Sequence, residues 1–455
     1  LKRSTLVRLF VCVLFLLSLL IESMIFEEKE AEAALSATIY WTQSRQTIDG
    51  FGASGAFNQA TTLMNYPDTV RTKILDLLFS QSSGAGLSII RNQIGDGWAF
   101  PTIEPEPGVW DWSGDDGQVW LMNEAKNRGT NRFWSTVWSP PAWMKDNGQV
   151  PNGGSLSPAH YQDYANYLST YVQEYSNRFG LNIYAVSLAN EPTYTANYSS
   201  CLWTGQQFHD FILNNLKPTF RRDGVSTKVM ITEDMFWRED LALPTLNDSN
   251  TSSRLDIVGG HDYNFSTSPL NVSKSKGKKI WQTEVSYFSA NDTTITDGLR
   301  WAKEVHNFMT VVEANAWHYW WLVSDATDGE SLIQLNTSNQ TYTAAKRLFT
   351  IGNFSRFVRP GFVRMNATAN PAANLYVSAY RSTSNGKFAV VVINDSDTSQ
   401  TIKYNLNSFN TGSVTPYITS ATQNLQKQSQ INTVNNAFTA TIPARSVVTY
   451  SGTAY

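Results

Sequence analysis

Two glutamates stand at the ends of apolar runs, where a side chain could do chemistry. Ala189-Asn190-Glu191-Pro192 closes the run 183–188, and Trp281-Gln282-Thr283-Glu284 closes a second run that begins at Lys279. Pro192 cannot extend a strand and forces a turn. Asn190, beside the first glutamate, can donate to a hydroxyl near a reacting carbon. Two carboxyl groups facing one bond suit glycoside cleavage: one protonates the leaving oxygen, and the other attacks or activates water. Separation decides the outcome: carboxyls about 5–5.5 Å apart retain configuration and about 6.5–9.5 Å apart invert it. The bland reading, a helix cap or rim charge, stands against each glutamate alone.

Such a pair needs a scaffold that brings distant segments to one mouth. Short apolar runs at 48–51, 87–91, 132–138, 183–190, 228–232, 257–262, 279–283 and 316–321 alternate with helical patterns at 68–79, 118–127, 158–179, 205–222, 297–312 and 342–354. Eight strands interleaved with helices over about 310 residues predict a closed (β/α)8 barrel, whose sites gather at the C-terminal strand ends. Glu191 ends the fourth strand and Glu284 the seventh, across the mouth from each other. Thr204 and Asp297 read as helix N-caps.

The other strand ends are polar or aromatic: Arg91-Asn92, Trp138-Ser139-Pro140-Pro141-Ala142-Trp143-Met144, His261-Asp262-Tyr263 and Trp317-His318-Tyr319-Trp320-Trp321. Trp317 or Trp320 could equally fill the barrel, and His318 could be a satisfied core histidine. The convergence carries the weight, because a purely structural barrel needs no polar rim. Five scattered histidines form neither His-X-His nor His-Glu-X-X-His, and no Gly-X-Ser-X-Gly is present, so neither a metal nor a serine nucleophile is expected. Gly50-Phe51-Gly52-Ala53-Ser54-Gly55 resembles a dinucleotide loop, but Arg91 ends the second strand where an acid would be needed.

The 455 residues carry few charges, 16 %, and a net charge of -3, which argues against nucleic acid or an anionic membrane as partner. With 15 Trp, 20 Tyr and 23 Phe, rings remain for an exposed cleft after the core is filled. At the N-terminus, Lys2, Arg3 and Arg8 precede an apolar run at 9–21 that is short for a membrane span, and Ala31-Glu32-Ala33 offers a cleavage pattern. Residues 1–34 are read as a removed signal peptide, with an uncleaved anchor as the alternative. Cys12 falls in that leader, which leaves Cys201 without an intrachain partner. Beyond Arg359-Pro360-Gly361, alternating runs at 375–380, 388–393, 401–405, 414–418 and 446–450 predict antiparallel strands. The expected organisation is a barrel over 49–357 with a fused β-sandwich from 35–48 plus 358–455.

The chain resembles glycoside hydrolase family 30, in the clan of retaining barrels. The carriers are Gln46-Thr47-Ile48-Asp49-Gly50-Phe51-Gly52, the Trp138–Met144 stretch, Asn190-Glu191-Pro192 and Gln282-Thr283-Glu284, in that order over nearly the whole mature chain. The resemblance implies a barrel with a side sandwich from both chain ends, and double displacement with Glu191 as acid/base and Glu284 as nucleophile. It implies that Arg91, Trp138, Asn190, Tyr263 and Trp320 surround the reacting sugar, with no cofactor and no metal. The opening motif looks more like the xylan-cleaving branches than the glucosylceramidase branch. The expectation is a secreted, monomeric hydrolase of β-1,4-xylan. A β-1,6-glucanase or β-1,6-galactanase, or a non-catalytic carbohydrate-binding barrel, is the alternative. Recognition of a glucuronyl side group would need a placed arginine, and Arg132, Arg238 and Arg254 all lie near loops.

Overall fold

The computed structural model describes residues 35–455; the stretch 1–34 read as a signal peptide, with Cys12, lies outside the described residues. The first strand, β1 (Ser36–Thr47), belongs to a side sheet. The barrel follows: β2 (Gly50–Ser54), β3 (Ile89–Gln93), β4 (Arg132–Thr136), β5 (Ile183–Ser187), β6 (Lys228–Asp234), β7 (Ile257–His261) and β8 (Lys279–Glu284). After a short strand β9 (Tyr287–Ala290), the eighth barrel strand is β10 (Ala316–Ser324). All neighbours pair in parallel, and β10 closes the ring between β8 and β2, with Ala316 opposite both Trp281 and Gly50. Each of the eight expected runs carries one of these strands.

Helices cover the outside, so the strands are buried on both faces and read as continuous apolar runs rather than alternating ones. One layer inside the barrel is filled by Ile89, Trp134, Ala185, Met230, Ile257, Trp281 and Ala316. The glycines at 50 and 52 serve this geometry and not a phosphate. Gly50 has φ +142°, and a Cβ on Gly52 would collide with the Ile89 carbonyl of β3. In β10 the period of two sorts the aromatic run: Trp317 packs outward near Trp301, while His318 turns inward.

Two local expectations are corrected. The helix expected from Asp297 begins at Ile295, capped by Thr294, whose Oγ1 accepts from the Thr296 N–H at 3.3 Å. Asp297 instead turns inward, pairs with buried Arg347 at 2.7 Å and accepts from Trp301 Nε1 at 2.9 Å. The buried cation claims the carboxylate that local pattern assigned to the cap. The helix expected from Tyr342 begins at Lys346. After β11 (Asp328–Gly329), β12 (Ser331–Asn336) pairs with β13 (Thr341–Ala344), a Thr-rich segment that suits a hairpin strand. Thr204 does cap its helix, in a full capping box with Gln207. That helix passes through a π turn at Ile212–Leu216, just before Pro218, which has no N–H to give.

The side sheet comprises β1, β14 (Val363–Ala367), β15 (Leu375–Arg381), β16 (Lys387–Asn394), β17 (Gln400–Asn407), β18 (Ser413–Thr419), β19 (Gln426–Lys427), β20 (Ile431–Asn432), β21 (Ala437–Ile442) and β22 (Ser446–Thr453). It is one hydrogen-bonded sheet curled over its own core, antiparallel except where β1 runs parallel to β17. Phe388, Val390 and Val392 of β16 face that core, and Ala389, Val391 and Ile393 face the barrel's helices. At the seam, buried Asn353 donates to the Tyr417 carbonyl and to Thr449 Oγ1, each at 3.0 Å. Among the described residues, no helix is long and apolar enough to cross a membrane.

Candidate active site

At the C-terminal mouth of the barrel, Arg91 from the middle of β3 organises the polar groups. It is 1 % exposed. Its Nη1 pairs with Glu284 Oε2, and its Nη2 lies 2.9 Å from Glu233 Oε1. Nη2 also donates to Asn190 Oδ1 at 2.7 Å, and Nε donates to Thr136 Oγ1 at 3.1 Å. The guanidinium lies over Trp138, 4.3 Å from the ring centroid. Because Asn190 Oδ1 is taken, its amide N–H2 is the end left to donate to a ligand.

Glu191 follows the turn after β5. Its φ is +44°, and its N–H donates to the Glu233 carbonyl at 2.9 Å. A left-handed glutamate is uncommon, and here it swings the carboxyl into the mouth. Glu284, on the last residue of β8, is held at both oxygens. Arg91 binds Oε2, and the Tyr263 hydroxyl donates to Oε1 at 2.7 Å. His261 lies between the two glutamates. Its Nδ1 is 3.1 Å from Glu191 Oε1, and its Nε2 is 3.6 Å from Glu284 Oε2 and 3.9 Å from Glu233 Oε1. One carboxylate oxygen of Glu191, one of Glu284 and a ring nitrogen of His261 all lie within 4.8 Å of one another.

Burial sets the electrostatics. It raises the Glu191 carboxyl above its ordinary value, against the pull of the hydrogen bond and charge of His261. Burial also works against a charged His261, yet Glu284, Glu191 and Glu233 overcome it and raise the imidazole to about 9. Glu233 goes the other way: burial would raise it, but Arg91 and His261 hold it below the usual carboxylate range. Glu191, His261 and Glu284 are close enough to hold a metal. The same three groups equally make an ion-paired cluster, with the imidazole set between the two carboxyls.

Aromatic rings wall a cleft of about 530 Å³ above these groups. Trp138 and Trp320 are tilted to each other at 5.9 Å, Phe57 meets Trp138 edge-on at 5.4 Å, and Trp321 stacks on Trp320 at 4.8 Å. Both Trp320 and Trp321 line the cleft, because the β10–β2 register shifts between His318 and Trp321 and breaks the strict alternation. Half-exposed Trp98 and Tyr194 and more exposed Phe288 extend the wall. A larger polar hollow, about 760 Å³, lies beside Arg359–Phe362 and the side sheet, and among the described residues no carboxylate or histidine lines it.

Glu191, Glu284, Arg91, Trp138, Asn190, Tyr263 and Trp320 are thus gathered at one mouth. His318 is satisfied in the core: Trp134 Nε1 donates to its Nε2 at 3.2 Å, and its Nδ1 lies 2.8 Å from the Gln282 carbonyl. Burial lowers it to about 4. Two residues of the polar cluster were not singled out from sequence. His261 was visible as a strand end but carried no role. Glu233 lies one position past the run 228–232. The β6–β7 register shifts there, with φ +77° at Thr232 and +46° at Glu233, and this bulge turns Glu233 inward. The signal was a third strand-terminal glutamate, in Ile231-Thr232-Glu233-Asp234.

A (β/α)8 barrel whose strand-end carboxyls face each other beneath an aromatic cleft defines a barrel glycoside hydrolase. The family model described as Glycosyl hydrolase family 59 matches residues 48–385. Matches that span the chain carry other names. "Glucuronoxylanase XynC" of Bacillus subtilis (strain 168) is 30 % identical over 435 residues, 92 % of each chain. The solved glycoside hydrolase family 30 subfamily 8 xylanase Xyn30A of Clostridium acetobutylicum is 32 % identical, with TM-score 0.79, over 92 % of this chain and 100 % of that one. The catalytic domain of GH30 xylanase C from Talaromyces cellulolyticus is 31 % identical, with TM-score 0.83 and the same coverage. The chain belongs to this GH30-like family of glycosyl hydrolases, and its full-length relatives place it in glycoside hydrolase family 30.

Proposed function

We propose that this chain is a secreted retaining xylanase that cleaves β-1,4-xylan by double displacement. The observation that carries the reading is the closeness of the two glutamates, with carboxylate oxygens within 4.8 Å. That spacing suits attack by a carboxylate and leaves little room for the intervening water that inversion requires. Glu284 is the nucleophile, oriented by Arg91 and Tyr263. Glu191 is the acid/base, its carboxyl shifted by burial toward the protonated form that an acid needs.

In the first step Glu284 attacks the anomeric carbon while Glu191 passes its proton to the departing oxygen. Glu191 is then a carboxylate beside the His261 cation, which stabilises the charge just formed. In the second step Glu191 takes a proton from water, the water oxygen bonds to the anomeric carbon, and Glu284 leaves as a carboxylate. Trp138, Asn190, Tyr263 and Trp320 surround the reacting sugar, with the rings under its C–H face and the amide on a hydroxyl.

The substrate rests on relatives named xylanase and glucuronoxylanase that match along nearly the whole chain. Secretion rests on the leader pattern of residues 1–34, and the chain is taken to act outside the cell as a monomer. A barrel over 49–357 with a side domain from 35–48 and 358–455 is the organisation we propose. Proton NMR of the first sugar released from xylan tests the mechanism: the β-anomer should appear before mutarotation, and first appearance of the α-anomer would refute retention. Glu284→Gln should abolish turnover with folding intact. Glu191→Ala should slow poor leaving groups most and be rescued by azide; equal loss on good and poor leaving groups would refute its role.

A further inference from the structure

The charge of the cleft wall bears on which xylan fits, granted the xylan reading above. A sugar ring carrying a carboxylate pays a desolvation cost on entering a partly enclosed site unless a cation meets it. Among the described residues that line the cleft there is no lysine or arginine, whereas Glu191, Glu284 and Glu330 are present. Arg91, beneath the cleft, is fully engaged with Glu284, Glu233, Asn190 and Thr136. The three arginines near loops are also committed. Arg132 lies over the Tyr184 ring and pairs with Asp49 at the start of the barrel. Arg254 donates to the Leu213 carbonyl at 2.8 Å. Arg238 donates to Asp234 at 2.7 Å and also pairs with Asp240.

Glu330 is built into the wall. A two-strand ribbon ties β11 to β9, with Asp328 opposite Ala290 and Gly329 opposite Tyr287. The Tyr319 hydroxyl donates to the Gly329 carbonyl, and the Glu330 carbonyl accepts from the Trp321 N–H at 3.1 Å. The Glu330 N–H donates to Asp328 Oδ1, also at 3.1 Å. The backbone at Glu330 is thereby fixed beside Trp321, and its side chain lines the cleft. Burial, together with the hydrogen bond and charge of Asp328 and the charge of Glu284, raises the carboxyl to about 8. Around neutral pH it is an O–H donor, which suits a sugar hydroxyl, in a wall whose described lining offers no cation to meet an anion.

We infer that this cleft selects uncharged sugar residues, with Glu330 as a specificity-determining residue, so that cleavage of xylan is not directed by a glucuronyl side group. In this the chain would differ from the relative named glucuronoxylanase.

The test compares kcat/KM on native glucuronoxylan with the same polymer after its uronic carboxyls are reduced to primary alcohols. Product sizing locates the cuts. The reduced polymer should be cut at least as fast as the native one, with cuts not set by side-group position. Glu330→Lys, with its melting temperature checked against wild type, should raise the native-to-reduced ratio by up to about fivefold, the range of a solvent-accessible ion pair. A roughly tenfold loss on carboxyl reduction, or cuts found only beside glucuronyl groups, would overturn the inference. An unchanged ratio in Glu330→Lys would overturn the role of Glu330. Turnover of the native polymer alone would defeat only this inference. Turnover of neither would defeat the xylan reading, and this inference with it.

Discussion

Replacing Tyr263 by phenylalanine removes one hydroxyl from the proposed nucleophile and little else. The ring keeps its packing, 5.3 Å from Phe288 and 5.9 Å from His261, so the fold should persist. What disappears is a 2.7 Å bond to Glu284 Oε1. A hydrogen bond to a charged group contributes about 1.5–3 kcal/mol. In the covalent intermediate Glu284 has no charge to stabilise; as it leaves in the second step, its charge returns. With the charge about half restored at the transition state, the variant loses about 0.8–1.5 kcal/mol there, roughly a 4- to 13-fold slower second step. The first step moves charge off Glu284, so it is spared. An aryl xylobioside with an activated leaving group separates the two steps. Expected are a fall in kcat with kcat/KM held or slightly raised, and a pre-steady-state burst of phenol. A parallel drop of more than about tenfold in both constants, or no change in either, would refute the assignment of Glu284 as the carboxylate that cycles between free and bonded states.

Two further predictions concern the charged cluster. Arg91→Met leaves Glu284 and Glu233 without their shared buried cation and should cost about 3–5 kcal/mol of stability in denaturant unfolding, besides activity; a loss under about 1 kcal/mol would show that the cation is not needed for packing. His261, raised in the folded state from 6.5 to about 9, contributes stability that is fully present below about pH 6.5 and lost as pH rises toward 9, amounting to about 3 kcal/mol. His261→Gln should flatten unfolding free energy over that window, and an unaltered slope would count against a charged imidazole at this position.

The barrel was legible because parallel strands covered on both faces leave apolar runs that helices punctuate, and all eight runs carry strands. The glutamate pair was legible because strand-terminal residues of a barrel share one mouth whatever their distance along the chain. Other features depended on tertiary contacts. Glu233 enters through a bulge, and a shift by one residue reverses which side a strand residue faces. Asp297 obeyed a capping pattern that Arg347, fifty positions later, overrode. Trp320 and Trp321 could not be ranked by alternation, since the register shift beside them lets both face the cleft. In the side sheet, Val363–Ala367 and Ala437–Ile442 were not picked out, because short segments mixing Thr, Asn and Ala with few large apolar residues carry a weak alternating signal.

The parallel pairing of β1 with β17 governs the order of assembly. Ser36 meets Lys403 and Tyr40 meets Asn407, so the first strand described has no parallel partner until most of the polypeptide exists. Closing so long a loop is entropically costly and slow compared with local helix–strand contacts. Strands β2 to β8 of the barrel can collect their neighbours in sequence before β10 closes the ring, whereas the side sheet must wait for the tail. Until then Val391, Ile393 and Val447 cannot cover the barrel helices against which they pack. The side sheet is thus a late clasp and not a detachable module. Trimming β22 should expose that apolar seam and trimming β1 the side sheet's own core, where Ala37 and Ile39 lie, and a half-made chain remains open to chaperones and proteases for as long as the clasp is unfastened.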